Sequence, residues 1–151
     1  MTITAKQIKS LREKTGAGIM EVKKALEQAK GSETKAKAIL KKMGRENAAK
    51  RQDKETSAGQ VFSYIHSGGQ IGSLVVLMSE TDFVAKSTDF QELGRELAMQ
   101  VAAMGPKNLK ELLGQPHIRD VKKTVNDLIL EYSAKFKEKI TVKALERFAV
   151  K

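Results

Sequence analysis

Between Ala58 and Met104 the spacing of apolar residues changes from two to about 3.6, and that change commits the chain to a mixed fold. Val61, Ser63 and Ile65 alternate with Phe62, Tyr64 and His66, Ser67-Gly68-Gly69 supplies a turn, and Ile71 to Met78 returns as a second strand. The most apolar run of the chain, Leu74 to Met78, lies in that second strand. From there on, Phe90, Leu93, Leu97, Val101 and Met104 fall on one face of a helix. The two periods meet at Ser79-Glu80-Thr81-Asp82-Phe83-Val84-Ala85-Lys86, followed by Ser87-Thr88-Asp89-Phe90. Thr-Asp-Phe therefore occurs twice in ten residues. In the second copy Thr88 and Gln91 read as a capping box, which makes Phe90 the first residue of the buried helix face. The first copy has no such structural assignment. It sits in a strand-to-helix loop, where a rigid scaffold commonly presents functional residues.

The flanking segments fit around this centre. Thr4 with Gln7 reads as a capping box, and Ile3 and Ile8 as a hydrophobic staple, for a helix that stops at Thr15-Gly16. A second helix carries Ile19, Val22, Ala25, Leu26 and Ala29 and ends at Gly31. Ser32 caps a third, with Ala36, Ile39, Leu40 and Met43 inward and an end at Gly44. Arg45 to Ser57 has no apolar stripe and reads as a helical or frayed linker, with Lys50-Arg51 as a candidate nucleic-acid contact that lacks an interleaved aromatic. Beyond Met104-Gly105-Pro106 a last amphipathic helix uses Ile118, Val121, Val125, Leu128, Tyr132 and Phe136, and Ile140 to Val150 reads as a final strand. That strand belongs beside the hairpin, closing a three-stranded antiparallel sheet packed with two long helices. The expected fold class is thus α+β, with a three-helix module over residues 1–45, a linker over 46–57 and an α+β core over 58–151.

Composition narrows the chemistry. With no cysteine, disulfides, thiol catalysis and thiolate metal sites are excluded. His66 and His117 are the only imidazoles, and neither has a carboxylate or histidine at metal-ligand spacing, so both read as surface or partly packed. Gly68-Gly69 lacks the Lys-Ser/Thr and following helix of a phosphate loop. No catalytic constellation is visible and no metal or cofactor is expected, so binding is the better class of hypothesis. The net charge of +10 is uneven: +8 over residues 1–55, −3 over 56–105 and +5 over 106–151. Basic ends fit an acidic partner or nucleic acid, or simply a solvated surface. The N-terminus opens on a capped helix with no secretory signal, so a cytoplasmic protein is the expectation.

Two stretches carry a resemblance. Leu11-Arg12-Glu13-Lys14-Thr15-Gly16-Ala17-Gly18-Ile19-Met20 with Val22-Lys23-Lys24-Ala25-Leu26, and Glu80-Thr81-Asp82-Phe83-Val84-Ala85, resemble the two signature motifs of elongation factor Ts. That family comprises the guanine nucleotide exchange factors for elongation factor Tu in bacterial and organellar translation. Tyr64-Ile65-His66, Ile71-Gly72 and Arg147-Phe148 are similar to the family's hairpin and final strand. The resemblance implies that residues near 1–45 form a ubiquitin-associated-like module that docks on the G domain of elongation factor Tu, with Arg12, Ile19 and Met20 in the contact. It further implies that Thr81, Asp82, Phe83 and Val84 reach the same partner, with Asp82-Phe83 pushing between its helices toward the magnesium and phosphate region. Longer members carry a second α/β subdomain and a helical hairpin, for which Met104 to Ile118 is too short here.

The uncovered face of a three-stranded sheet, and the example of short members of the family, point to a homodimer through the α+β core. Two other functions compete with exchange: an RNA-binding protein using the basic ends, and a passive adaptor that binds without altering nucleotide release. Direct nucleic-acid binding is not required by the leading reading.

Overall fold

The computed structural model describes residues 2–151 and has the expected α+β architecture. Three helices open it: α1 (Ala5–Thr15), α2 (Ile19–Gln28) and α3 (Glu33–Lys50). The capping box of Thr4 and Gln7 forms, and Gly16 ends α1 at φ 68, where a side chain would be strained. Leu11, Val22, Ala25, Leu26 and Ala36 make a small core, with Ile8, Ile39 and Leu40 packed against it.

The third helix does not stop at Gly44 but runs on to Lys50. A glycine inside a helix costs only about 1 kcal/mol relative to alanine. Here that cost is offset by packing, since a Cβ at Gly44 would already lie 3.7 Å from Cβ of Ala134. The segment 46–57 therefore begins as helix, and the turn of residues 51–54 and the three residues 55–57 before the sheet depart from it.

β1 (Ala58–Ile65), β2 (Ile71–Ser79) and β5 (Thr141–Ala149) form an antiparallel sheet in the order β1–β2–β5. Phe62, Val75, Leu77 and Val142 point inward onto α5 (Thr88–Met104), whose Phe90, Leu93, Leu97 and Val101 are fully buried. Gly94 lets the helix lie directly on the ring of Phe62; a Cβ there would overlap Cγ, Cδ2 and Cε2. On the opposite face Val61, Ile65, Leu74 and Phe148 are exposed.

The chain after α5 departs from the expected single helix over Ile118 to Phe136. A short α6 (Leu109–Gly114) leads into a two-stranded ribbon, β3 (Pro116–His117) and β4 (Asp120–Thr124), and only then does α7 (Val125–Phe136) begin. Side chains of α5 hold the ribbon. Gln100 donates to the Pro116 carbonyl at 3.1 Å and accepts from the Ile118 N–H at 2.9 Å. Glu96 meets His117 at 3.3 Å and Arg119 at 2.9 Å, so His117 is buried rather than at the surface. A capping box of Thr124 and Asp127 then starts α7. No helix among the described residues is long and apolar enough to cross a membrane.

Candidate partner-binding site

The first Thr-Asp-Phe copy is itself a capped turn. Thr81 accepts from the Val84 N–H at 3.3 Å and opens a single-turn helix, α4 (Asp82–Ala85). In the second copy the cap is Ser87, which accepts from the Phe90 N–H at 3.2 Å, while Thr88 is the first helical residue. Gln91 does not reach back to Thr88. Its amide bonds Gln60 at 2.8 Å and the Ala85 carbonyl at 3.0 Å, because Ser87 already satisfies the helix start.

Capping therefore does not distinguish the two phenylalanines, but burial does. Phe90 is 0% exposed and lies between the rings of Phe62 and Phe136, with centroids at 5.9 and 6.5 Å. Phe83 is 87% exposed, the most exposed large apolar residue among those described. Asp82 beside it is exposed too. Val84 and Ala85 turn the other way and are buried in the main core, so Val84 anchors the turn instead of presenting itself.

The turn is fastened by residues that the local sequence does not flag. Arg51, just past the end of α3, grips the Glu80 carboxylate with two bonds of 2.9 and 2.7 Å, a bidentate geometry suited to guanidinium. That grip, with the Lys139 N–H at 2.7 Å, overcomes burial and holds the Glu80 carboxyl below the usual carboxylate range. Across the turn, Glu138 accepts from the Glu80 N–H at 3.0 Å, the Thr81 N–H at 3.1 Å and the Thr81 hydroxyl at 2.5 Å. Glu138 lies 58 residues from Glu80, so no motif or period links them.

Of the other expected contact residues, Arg12 and Ile19 line one open groove of about 670 Å³ between α1 and the start of α2. Ala5 and Ile8 add apolar floor, and Lys135 of α7 closes one side. Ile19 and Met20 are 53% and 62% exposed, so neither packs inside the bundle. These three residues and the Asp82-Phe83 tip stand on separate elements.

The helical module meets the rest of the chain through ion pairs. Lys41 and Arg45 of α3 each reach Asp127 of α7 at 3.1 Å, while Lys135 of α7 pairs within the core with Asp89 of α5 at 2.8 Å. Burial alone would push Asp127 up, but the Thr124 N–H, Lys41 and Arg45 together bring it down to about 2. Among the described residues no group of three or more His, Cys, Asp or Glu is placed to hold a metal ion. What the surface offers is an exposed aromatic beside a carboxylate, an apolar groove rimmed by cations, and a largely apolar sheet face. Those are features for gripping another macromolecule.

Comparison with known proteins gives the same direction. A family model described as Elongation factor TS matches residues 80–151. Elongation factor Ts of Leptospira biflexa is 38% identical over an alignment of 195 residues, covering 99% of this chain and 98% of that protein. Elongation factor Ts of Moorella thermoacetica is 40% identical over 193 residues, covering 98% and 95%. That of Thermosipho melanesiensis is 53% identical over 108 residues, covering 72% and 55%. The first two alignments are longer than the chain of 151 residues, so those relatives carry residues that this chain lacks. With similarity at this level along almost its whole length, the chain belongs to the elongation factor Ts family.

Proposed function

We propose that this chain is a guanine nucleotide exchange factor that promotes GDP release from elongation factor Tu during translation elongation in the cytoplasm. The carrying observation is Phe83, an apolar side chain 87% exposed on a turn that is itself firmly bonded. In this reading residues 1–45 dock on the G domain through Arg12, Ile19 and Met20. Thr81 and Val84 hold the turn while Asp82-Phe83 enters near the magnesium and phosphate region. The core of residues 58–151 carries the tip, and 46–57 join it to the module. No bond is made or broken by this chain, so the role is exchange without catalytic groups of its own, metal or cofactor.

The energetics suit such a role. A factor that prefers the nucleotide-free partner must, by linkage, be weakened to the same degree by nucleotide. Each tenfold acceleration of release requires about 1.4 kcal/mol of preferential stabilisation of the release transition state. Burying one phenylalanine supplies roughly 1.5–3 kcal/mol, or one to two decades. Asp82 adds a negative charge close to where phosphates must leave.

The test is release of labelled GDP from elongation factor Tu with and without this protein. An unchanged rate would sink the exchange reading and favour the passive adaptor; salt-sensitive RNA binding alone would favour the nucleic-acid reading.

A second copy of the chain is the proposed occupant of the outer sheet face. Val61, Ile65, Leu74 and Phe148 leave it largely apolar, with Ser63 and Glu146 beside Leu74 in the register as its polar neighbours. Sedimentation at micromolar concentration should give a dimer; a monomer throughout overturns this part.

A further inference from the structure

We infer that Glu138 is a positioning residue for nucleotide release, fixing the angle at which the Phe83 tip meets its partner. The inference rests on the exchange reading. At 87% exposure the Phe83 side chain has little around it to define its direction, so the backbone of α4 must do so. That turn begins where β2 ends, at Ser79, and its first two N–H groups, of Glu80 and Thr81, have left the sheet ladder. One oxygen of Glu138 takes both, at 3.0 and 3.1 Å.

The other oxygen acts through the cap. A threonine hydroxyl has one proton to give and lone pairs to receive with. Glu138 takes the proton of Thr81 at 2.5 Å, which leaves the oxygen turned to accept the Val84 N–H at 3.3 Å. The carboxylate thereby sets the orientation of the group that starts the helical turn. Glu80 answers in the opposite direction, accepting the N–H of Lys139 at 2.7 Å. The two segments clasp each other, each supplying a carboxylate to the other's backbone.

Glu138 is itself held. Lys137 before it adopts a left-handed φ of 56, and Ser133 of α7 donates to its carbonyl. At its other end α7 is tied to the docking module by Asp127 with Lys41 and Arg45. Glu138 is thus the last member of a bonded path from module to tip. A chain lacking it still docks through Arg12, Ile19 and Met20, but presents Phe83 with a loosened bearing. Loss of the clasp reduces the maximal release rate while docking strength is kept.

The experiment follows GDP release from elongation factor Tu against the concentration of intact wild type, Glu138→Ala and Glu138→Gln, with melting curves on each. Misplacement by an ångström is worth on the order of a hundredfold, so Glu138→Ala should lose tenfold to a hundredfold in maximal rate, with less than about a threefold change in half-saturating concentration. Glutamine keeps an oxygen for the two N–H groups but offers a donor where the Thr81 hydroxyl needs an acceptor, so it should recover only part of the loss. Amide exchange at Glu80 and Thr81 should quicken in Glu138→Ala and stay slow in Glu138→Gln. Should the alanine variant fail to fold, Glu138→Asp decides, since it keeps the charge and withdraws the carboxylate by one methylene. A full maximal rate in the folded variants, or a loss confined to half-saturating concentration, overturns the inference. A wild type without activity instead removes the exchange reading on which it rests.

Discussion

Exchanging the two Thr-Asp-Phe phenylalanines for alanine, one at a time, separates what holds the fold from what meets the partner. Phe90 is wholly buried against Phe62 and Phe136, in a core that also holds Leu93, Leu97 and Val101. Phe90→Ala removes that burial and leaves a cavity, at a cost of roughly 3–5 kcal/mol. For a chain of this size each kcal/mol moves the melting temperature by about 2–4 °C, so the drop should be roughly 6–20 °C. Phe83→Ala removes a side chain that is already 87% in water, and its melting temperature should stay within about 2 °C of wild type. Its effect should fall on function: the roughly 1.5–3 kcal/mol gained when a partner buries the ring translates into a ten- to hundredfold slower GDP release. Calorimetric melts and stopped-flow release on the same preparations give both numbers. Unfolding by Phe83→Ala, with a merely slowed exchange in Phe90→Ala, would refute the reasoning, as would full exchange activity without the Phe83 ring.

Gly94→Ala should destabilise despite the helix propensity of alanine, because the added methyl meets three ring atoms of Phe62; the net cost should be about 1–3 kcal/mol by denaturant titration, and partner relief should come from Phe62→Leu in the same chain. Asp127 has a depressed folded pKa of about 2, so its stabilisation is complete above the unfolded carboxylate value near 4 and is lost as pH falls through about 2. Asp127→Asn should therefore cost roughly 1–2 kcal/mol at pH 7, trimmed by the half-exposed Lys41 and Arg45, with the difference closing between about pH 4 and 2 in urea titrations. Arg12→Ala and Met20→Ala should weaken calorimetric binding to elongation factor Tu with helicity retained; full-strength binding by both removes this surface of α1 and α2 from the interface. Lys137→Gly should raise stability by about 0.5–1 kcal/mol, since only the side chain makes φ 56 costly there, and a fall in the melting temperature would contradict that.

Sequence signals that act over a few residues specify their elements directly. The Thr4–Gln7 box, the glycine turn at Gly16 and the alternation from Val61 to Ile65 each became the element they specify. Local spacing misleads where distant groups decide. Gly44 looks like a helix stop until Ala134, ninety positions on, gives the helix a surface to pack against. Ile118 and Val121 keep helical spacing with Val125, yet Gln100 and Glu96 on another helix pull that stretch into a ribbon. The Thr124–Asp127 box was the available clue that the helix starts later. At the site, Phe83 stood out because nothing periodic accounted for it. Glu138 did not, because a carboxylate in a lysine-rich turn looks like any solvated charge until the fold brings it to Glu80 and Thr81.

Because α3 continues past Gly44, the spacing between the module and the tip is counted in helical residues, with Leu40 packed on one core and Arg51 bonded at the other end to Glu80. A residue inserted between them would advance the helix by about 1.5 Å and rotate everything after it by about 100°, sending Arg51 away from Glu80. A flexible tether of the same length would absorb that change. This stretch should accordingly tolerate many side-chain replacements but no change of length, whereas the exposed Ser67-Gly68-Gly69 turn should accept insertions freely.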